Sequence, residues 1–300
     1  MRLLDVGTKK LHTFIESKIP PYAILSHTWL KDDEEVTFAQ IQQPERCQHM
    51  LGYHKIEFLC QQAAKDGFQY AWIDTCCIDK TSSAELSEAI NSMFRWYEKA
   101  ERCYALLSDI DNSEEQSFLT SRWWSRAWTL QELLAPTTVD FFDRNWCLIG
   151  KKSDLAESIE KSTGISCKVL RSQPLHHSSV AQRMSWASKR VATRSEDVAY
   201  SLFGIFGVNM PLLYGEGERA FLRLQQEVLE TSGDHSLFAW NFDSDLIFEQ
   251  KLMPCSITFP NSGGLFAASP SQFSTCGRIV FKHPRVFTIT LRTSPYHRVR

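Results

Sequence analysis

The sequence predicts an α/β fold: a mainly parallel sheet flanked by helices, followed by a helical region and a small β segment. Over roughly the first 145 residues, short apolar runs alternate with segments of helical periodicity, which is typical of a parallel sheet. Later residues show helical and then strand-like patterns. We expect an α/β domain at 1–150, a helical region at 151–235 and a β-rich C-terminal segment at 236–300, which the abrupt end at Arg300 could leave incomplete.

Four runs in the first part predict buried strands, because their apolar residues are nearly continuous and loop residues flank them. These runs are residues 22–26, 70–73, 103–107 and 137–142. The segments between them carry apolar residues at helical spacing. The predicted helices are residues 55–65, ended by Gly67, a helix opened by Ser82, and residues 126–134, ended by Pro136. Ser82 and Glu85 fit a capping box, in which Glu85 reaches back to the start of the helix.

Helical periodicity continues beyond residue 150. The predicted helices are residues 179–188, 196–206 and 218–230, with Ser195 capping the second and Gly207 closing it. The run Gly215-Glu216-Gly217 predicts a turn before the third helix, since it lacks the ending of a phosphate loop. Residues 278–282 and 285–292 predict a hairpin around His283-Pro284.

The composition narrows the class of protein and its partners. The 300 residues are 43% hydrophobic, and the formal net charge of -2 without a concentrated basic face argues against a nucleic-acid partner. The Lys151-Lys152 pair is interpreted as solvated surface. No apolar run approaches the roughly 20 residues that span a bilayer, and the start lacks the apolar core of a signal peptide. The nine cysteines are therefore expected to be reduced thiols in the cytoplasm.

Three sequence blocks carry a resemblance to a known family. The first is YAILSHTW at 22–29. The second runs from Gly52 through Lys55-Ile56 to WIDTCCIDK at 72–80 and on through ELSEAI at 85–90. The third is SRWWSRAWTLQELLAP at 121–136. Together they resemble the heterokaryon-incompatibility (HET) domain of filamentous fungi, with the signature part at about 20–136. Further blocks are similar to the region that follows this domain in many such proteins: RMSWA at 183–187, TRSEDVAY at 193–200 and MPLLYGEG at 210–217.

The resemblance implies an effector of fungal non-self recognition, which arrests growth or kills the cell when incompatible strains fuse. It also implies self-association and an incompatibility partner protein that the sequence does not identify. Neither implication follows from composition or spacing.

A more distant resemblance concerns chemistry. The order of strands and helices, followed by Trp128-Thr129-Leu130-Gln131-Glu132-Leu133, looks like a TIR domain, with Ser26-His27 in the place of a Ser-aromatic pair. Ala23 stands where TIR domains usually have an acidic residue. In enzymatic TIR domains the matching glutamate cleaves NAD, so the resemblance makes Glu132 the catalytic residue and NAD a substrate. No cofactor is implied.

Cleavage of the nicotinamide–ribose bond passes through an oxocarbenium-like state, which a carboxylate beside the sugar stabilises. We expect Glu132 to be that carboxylate and Trp128 to lie on the same helix face, four residues earlier. Ser26, His27 and Asp74 end predicted strands, where open α/β sheets bind ligands, so they are expected substrate contacts. The alternatives are that Glu132 pairs with a nearby arginine such as Arg126 and that Asp74 caps a turn. No metal site is expected, because Cys-x-x-Cys and His-x-x-x-His motifs are absent.

Three possibilities remain open on the sequence. The first is a HET-type effector that acts by NAD hydrolysis. The second is a non-enzymatic signalling module that self-associates and recruits partners. The third is an inactive or regulatory member of the family.

Overall fold

The computed structural model describes residues 1–111, 115–240 and 265–280. It has the predicted α/β fold, with a seven-stranded sheet whose spatial order is β2-β1-β4-β3-β5-β6-β7. The strands are β1 Arg2–Asp5, β2 Leu11–Thr13, β3 Tyr22–His27, β4 Tyr70–Trp72, β5 Arg102–Leu106, β6 Val139–Phe142 and β7 Leu148–Lys151. The four central strands, β4, β3, β5 and β6, run parallel, whereas β1, β2 and β7 are antiparallel additions at the edges.

Helices cover both faces of the sheet. Those in the described residues are α1 Phe38–Ile41, α2 Pro44–Cys47, α3 Leu51–Lys65, α4 Asp74–Cys77, α5 Ser83–Lys99, α6 Glu115–Thr120, α7 Thr129–Leu134, α8 Ala156–Thr163, α9 Cys167–Leu170, α10 Val180–Ala187, α11 Asp197–Tyr200, α12 Phe203–Phe206 and α13 Arg219–Thr231. Short 3-10 helices are Glu16–Lys18, Arg122–Ser125, Leu175–His177, His235–Phe238, Pro270–Phe273 and Cys276–Arg278. No helix in these parts of the chain is long and apolar enough to cross a membrane.

The central strands are the four that the apolar runs predict. Every residue of β3 and β6 is buried, as expected for strands covered on both faces. The edge strands β2 and β7 escaped prediction because they are short and none of their residues is buried, so they lack an apolar pattern. From β3 the chain crosses to β4 in one direction, and then to β5 and β6 in the other. Right-handed crossovers therefore place α3 on one face and α5 and α7 on the opposite face.

Local contacts explain where two predicted helices differ. The segment 126–134 forms a helix only from Thr129, because Arg126 is extended and pairs with Val191. Ser82 caps α5 as predicted, accepting from the Glu85 N–H. The predicted return contact is wrong: the Glu85 carboxylate accepts from the Asp79 N–H at 2.8 Å and pairs with Arg2 instead.

The segment 196–206 also differs, forming two short helices, α11 and α12, that Gly207 closes with φ of 69°. Ser195 does not cap it. Glu196 instead holds the predicted turn before α13, accepting from the N–H groups of Gly215 at 2.7 Å and Gly217 at 3.0 Å.

Residues 151–235 pack directly on the helices of the sheet. The Asn91 side chain on α5 bonds to both the N–H and the carbonyl of Met210, at 3.1 and 3.2 Å. Gly204 on α12 faces Phe94 on α5 so closely that an added Cβ would lie 2.7 Å from Phe94 Cδ2 and closer still to its Cβ. Glycine is thus required here by space, and these contacts fix the helical region against α5.

The described part of the C-terminal segment packs on the same region. Gln225 of α13 binds both the N–H and the carbonyl of Ala267, at 2.9 and 2.8 Å. Residues 270–273 and 276–278 form 3-10 helices, and residues 278–280 form no strand. The rest of the predicted hairpin lies outside the described residues.

The close approach at Gly204 yields a test of the packing between α5 and α12. Gly204→Ala should lower the free energy of unfolding by about 1–3 kcal/mol, because the new methyl group meets the stem of Phe94 rather than a movable side-chain end. Urea unfolding measures the change. Gly233→Ala is the matched control, since its Cβ would meet nothing within 4 Å. Equal stability of the two variants would contradict this packing.

Candidate functional site

The candidate site lies at the carboxyl end of β3, between β4 and β5. The crossovers leave β3 in opposite directions here, which makes a topological switch point, and open α/β sheets bind ligands at such points. Ser26 and His27 end the strand. Because successive side chains of a strand point to opposite faces, Ser26 meets α7 on one face and His27 meets α3 on the other.

On the α7 face, Ser26 holds the Glu132 carboxyl. The Ser26 hydroxyl donates a short hydrogen bond to Glu132 Oε2 and accepts one of 2.8 Å from Trp123 Nε1. Ser26 is fully buried and Glu132 is 7% exposed. Burial raises the pKa of Glu132 to about 8, helped by the negative charge of Asp74 and opposed by Ser26, Tyr97 and Arg190. The carboxyl is therefore mostly protonated at neutral pH.

The short helix α7 is fixed at both ends. At its start, the Thr129 hydroxyl lies 2.5 Å from the Trp123 carbonyl and 3.0 Å from the Arg126 carbonyl. At its end, Lys152 Nζ donates to the carbonyls of Leu133, at 3.1 Å, and Pro136. The prediction that Lys152 is solvated surface is wrong, since it is 4% exposed, and burial lowers its pKa to about 8. Its charge at the carboxyl end of α7 stabilises the helix that carries Glu132.

On the α3 face, buried charges surround His27. Lys55 Nζ lies 3.0 Å from His27 Nδ1, 3.2 Å from the Thr28 carbonyl and beside the Glu35 carboxylate. A protonated Lys55 has three hydrogens for these three acceptors, so Nδ1 accepts. The His27 proton then sits on Nε2, which lies 3.1 Å from Asp74 Oδ1 and donates to it.

Gly52 gives Glu35 its place. The Gly52 N–H donates to the Glu34 carbonyl at 2.8 Å, and a Cβ on Gly52 would lie 2.8 Å from both that carbonyl and Glu35 Oε2. Only glycine lets α3 start this close to the acidic loop. Lys55, three residues later, thereby reaches the Glu35 carboxylate.

Asp74 ends this chain of contacts at the edge of the site. Its second oxygen accepts from Trp29 Nε1 at 2.9 Å, and Lys80 Nζ lies 4.0 Å away. Burial favours the neutral acid, but the charge of Lys80 and the hydrogen bonds from His27 and Trp29 outweigh it and lower the pKa of Asp74 to about 2. Trp29 is 44% exposed, and Lys80 Nζ lies 3.6 Å from its ring centroid.

The sequence-predicted residues thus fall into two pairs and one outlier. Ser26 meets Glu132, and His27 meets Asp74. Trp128 lies apart from both, since its indole bonds to Asp197 of the helical region. Glu132 does not pair with Arg126, and Asp74 binds side chains rather than capping a turn. Groups of three or more potential metal ligands are absent from the described residues.

Sequence reasoning missed four residues that support these pairs: Lys55, Glu35, Lys80 and Trp123. One signal was present, because Lys55 stands on the apolar stripe of α3, four residues before Leu59. A lysine at such a position needs a buried partner. Nothing in the run Asp32-Asp33-Glu34-Glu35 shows which of its four acids that partner is.

The two carboxyl groups of the site, Asp74 and Glu132, differ in protonation state at neutral pH. Asp74 is ionised and partly exposed, whereas Glu132 is buried and mostly neutral. Environments that separate the pKa values of two carboxyl groups in this way are typical of sites in which one group acts as an acid and the other as a base or as a stabilising charge. Such a site can contact a sugar hydroxyl through one carboxylate and respond to a cationic ligand through ionisation of the other.

Comparison with known proteins places residues 22–119 in the family model "Heterokaryon incompatibility protein (HET)" and residues 219–298 in a domain of unknown function, DUF8212. The chain is 50% identical over 250 residues to "Vegetative incompatibility protein HET-E-1" of Podospora anserina, an alignment that covers 78% of this chain. The chain spans only 18% of that relative's length. No solved structure matches it. The matched segment, which holds β3, β4 and β5 with Ser26, His27 and Asp74, is therefore similar to a heterokaryon incompatibility (HET) domain, and Glu132 lies beyond this match.

Proposed function

We propose that this chain is an effector domain of heterokaryon incompatibility that hydrolyses NAD, with Glu132 as the catalytic carboxylate. The observation that carries the proposal is the buried Glu132 carboxyl, bonded to Ser26 at the switch point of a parallel sheet. The likeness of the segment 128–133 to the start of the catalytic helix in TIR domains adds support. The incompatibility role is suggested by the name of the relative from Podospora anserina.

In the proposed reaction, water replaces nicotinamide at the anomeric carbon of the ribose. Nicotinamide leaves as a neutral base and keeps the electron pair of the broken bond, so that ADP-ribose and one proton are the other products. The sugar carries positive charge in the transition state, which ionised Glu132 stabilises. The pyridinium of bound NAD is itself a cation and favours that ionised form before the bond breaks.

The neighbouring residues have supporting roles in this proposal. Ser26 orients the Glu132 carboxyl, and Trp123 fixes the Ser26 hydroxyl by donating to it. Asp74 is ionised and is held by His27 and Trp29, so it is suited to accept a hydrogen bond from a ribose hydroxyl. Lys55 and Glu35 keep His27 in the tautomer that donates to Asp74.

Replacement of Glu132 tests the enzymatic step. Glu132→Gln should reduce nicotinamide release from NAD by about 100-fold or more, because the amide keeps the shape but cannot carry negative charge. Nicotinamide is measured chromatographically with the purified chain at high protein concentration, since self-association could be needed for activity.

Glu88→Gln is the matched control, because Glu88 is an exposed acid on α5, and it should retain full turnover. No turnover by the unmodified chain, or equal turnover by Glu132→Gln, would remove the enzymatic proposal. If expression of Glu132→Gln arrests the growth of fungal cells as strongly as expression of the original chain does, the non-enzymatic signalling module is favoured.

The pKa of Glu132 predicts an alkaline pH profile. Because the carboxyl with a pKa of about 8 must lose its proton to act, kcat/KM should rise about tenfold per pH unit up to about pH 8 and then level off. The profile of kcat should level off at lower pH, since the bound pyridinium favours the carboxylate. A kcat/KM profile that is flat from pH 6 upward, as expected for an ordinary glutamate, would count against this role.

Stability measurements test the same pKa without substrate. Between pH 4.5 and about 8 the folded chain keeps a proton on Glu132 that the unfolded chain has lost, so the free energy of unfolding falls as pH rises. Relative to Glu132→Gln, it should fall by about 1.4 kcal/mol per pH unit in this window. Urea unfolding of both proteins measures the difference, and parallel curves across the window would show that Glu132 ionises normally.

A further inference from the structure

A buried arginine from the helical region approaches the Glu132 helix. Arg190 follows α10 and is 8% exposed. It lies outside the segment 22–119 that matches the HET model. The backbone beside it is firmly held, because the Val191 N–H donates to the Ser125 carbonyl at 2.7 Å and the Ala127 N–H donates to the Val191 carbonyl at 2.8 Å.

Hydrogen bonds connect Arg190 to the candidate site. Its Nη1 donates to the Arg126 carbonyl at 2.9 Å and to the Thr129 hydroxyl at 2.8 Å. Thr129 donates to the Trp123 carbonyl at 2.5 Å, and the Trp123 indole donates to Ser26. Ser26 in turn binds the Glu132 carboxyl. Arg190 thus lies at one end of a continuous set of contacts that finishes at Glu132.

The charge of Arg190 is only partly satisfied. Its Nη2 is buried and has no hydrogen-bond partner among the described residues, and no carboxylate in them lies within ion-pair distance of the guanidinium. Burial lowers the pKa of Arg190 to about 9, and the charge that opposes this effect is that of Glu132. Burying a cation without an ion-pair partner is costly, so packing alone does not explain an arginine at this position.

We propose that Arg190 is a positioning residue that compensates the negative charge of Glu132 when this carboxyl ionises. At rest the carboxyl is neutral and the guanidinium keeps an unused donor. After ionisation the two charges attract each other inside a region of low dielectric constant, where the interaction is strong. Ser26, Tyr97, Asp74 and Cys103 also interact with Glu132. None of these four supplies positive charge.

The proposal deepens the proposed function and depends on it only where catalysis is concerned. It gives the helical region a part in the chemistry, since the counter-charge of Glu132 comes from beyond the HET match. A site confined to residues 22–119 would lack both Glu132 and Arg190. The functional unit would then include at least the chain up to Arg190.

Infrared spectroscopy tests this without substrate. The carbonyl band of protonated Glu132, identified by its loss in Glu132→Gln, is titrated in the full chain and in Arg190→Met, Arg190→Gln and Arg190→Lys. The two neutral variants should raise the titration midpoint by about one pH unit or more, whereas the lysine variant should stay close to the original value. Methionine packs without adding an unpaired polar group, and circular dichroism verifies that each variant folds.

The outcomes separate this inference from the proposed function. Unchanged midpoints in the neutral variants, or an equal rise in Arg190→Lys, would overturn the role of Arg190 even if NAD is hydrolysed. A raised midpoint without any NAD turnover would uphold Arg190 and reject the enzymatic proposal. If both hold, kcat/KM of the neutral variants should be about tenfold lower at pH 7 and recover at higher pH, which a purely structural defect would not produce.

Discussion

The hydrogen bond from Ser26 to Glu132 is the constraint on which the candidate site depends. It requires the carboxyl end of β3 and the first turn of α7 to meet with both side chains buried, although the two residues lie 106 positions apart in the sequence. Three further hydrogen bonds stabilise this contact: from Trp123 to Ser26, from Thr129 to the Trp123 carbonyl, and from Lys152 to the Leu133 carbonyl. A carboxyl placed here loses most of its hydration, and its tendency to remain protonated follows from that loss.

Much of the fold follows from the sequence because the central strands have no exposed face. Their apolar runs at 22–26, 70–73, 103–107 and 137–142 correspond to β3, β4, β5 and β6. Strands β2 and β7 were not predictable, because they are short and their residues do not alternate between buried and exposed positions. The late start of α7 depends on pairing between Arg126 and Val191, a contact 65 residues away in the chain that local propensity cannot register.

The candidate site was predictable in its residues more than in its arrangement. Strand ends indicated Ser26, His27 and Asp74, and a resemblance indicated Glu132. The partition of these residues between two faces of the sheet follows from strand geometry once β3 is known to run through His27. The contributions of Glu35 and Arg190 depend on which loop residues fold inward, and no periodic pattern marks such residues.

The alternation of Ser26 and His27 has a consequence for how this strand can vary. An insertion or deletion of a single residue within β3 would shift its register and exchange the two side chains between faces. Ser26 would then face the lysine of α3, and an imidazole would press against the buried acid of α7. Substitutions within the strand alter one contact at a time, but a change in its length would dismantle both halves of the site at once. The site therefore requires the length of β3 as well as the residues at its end.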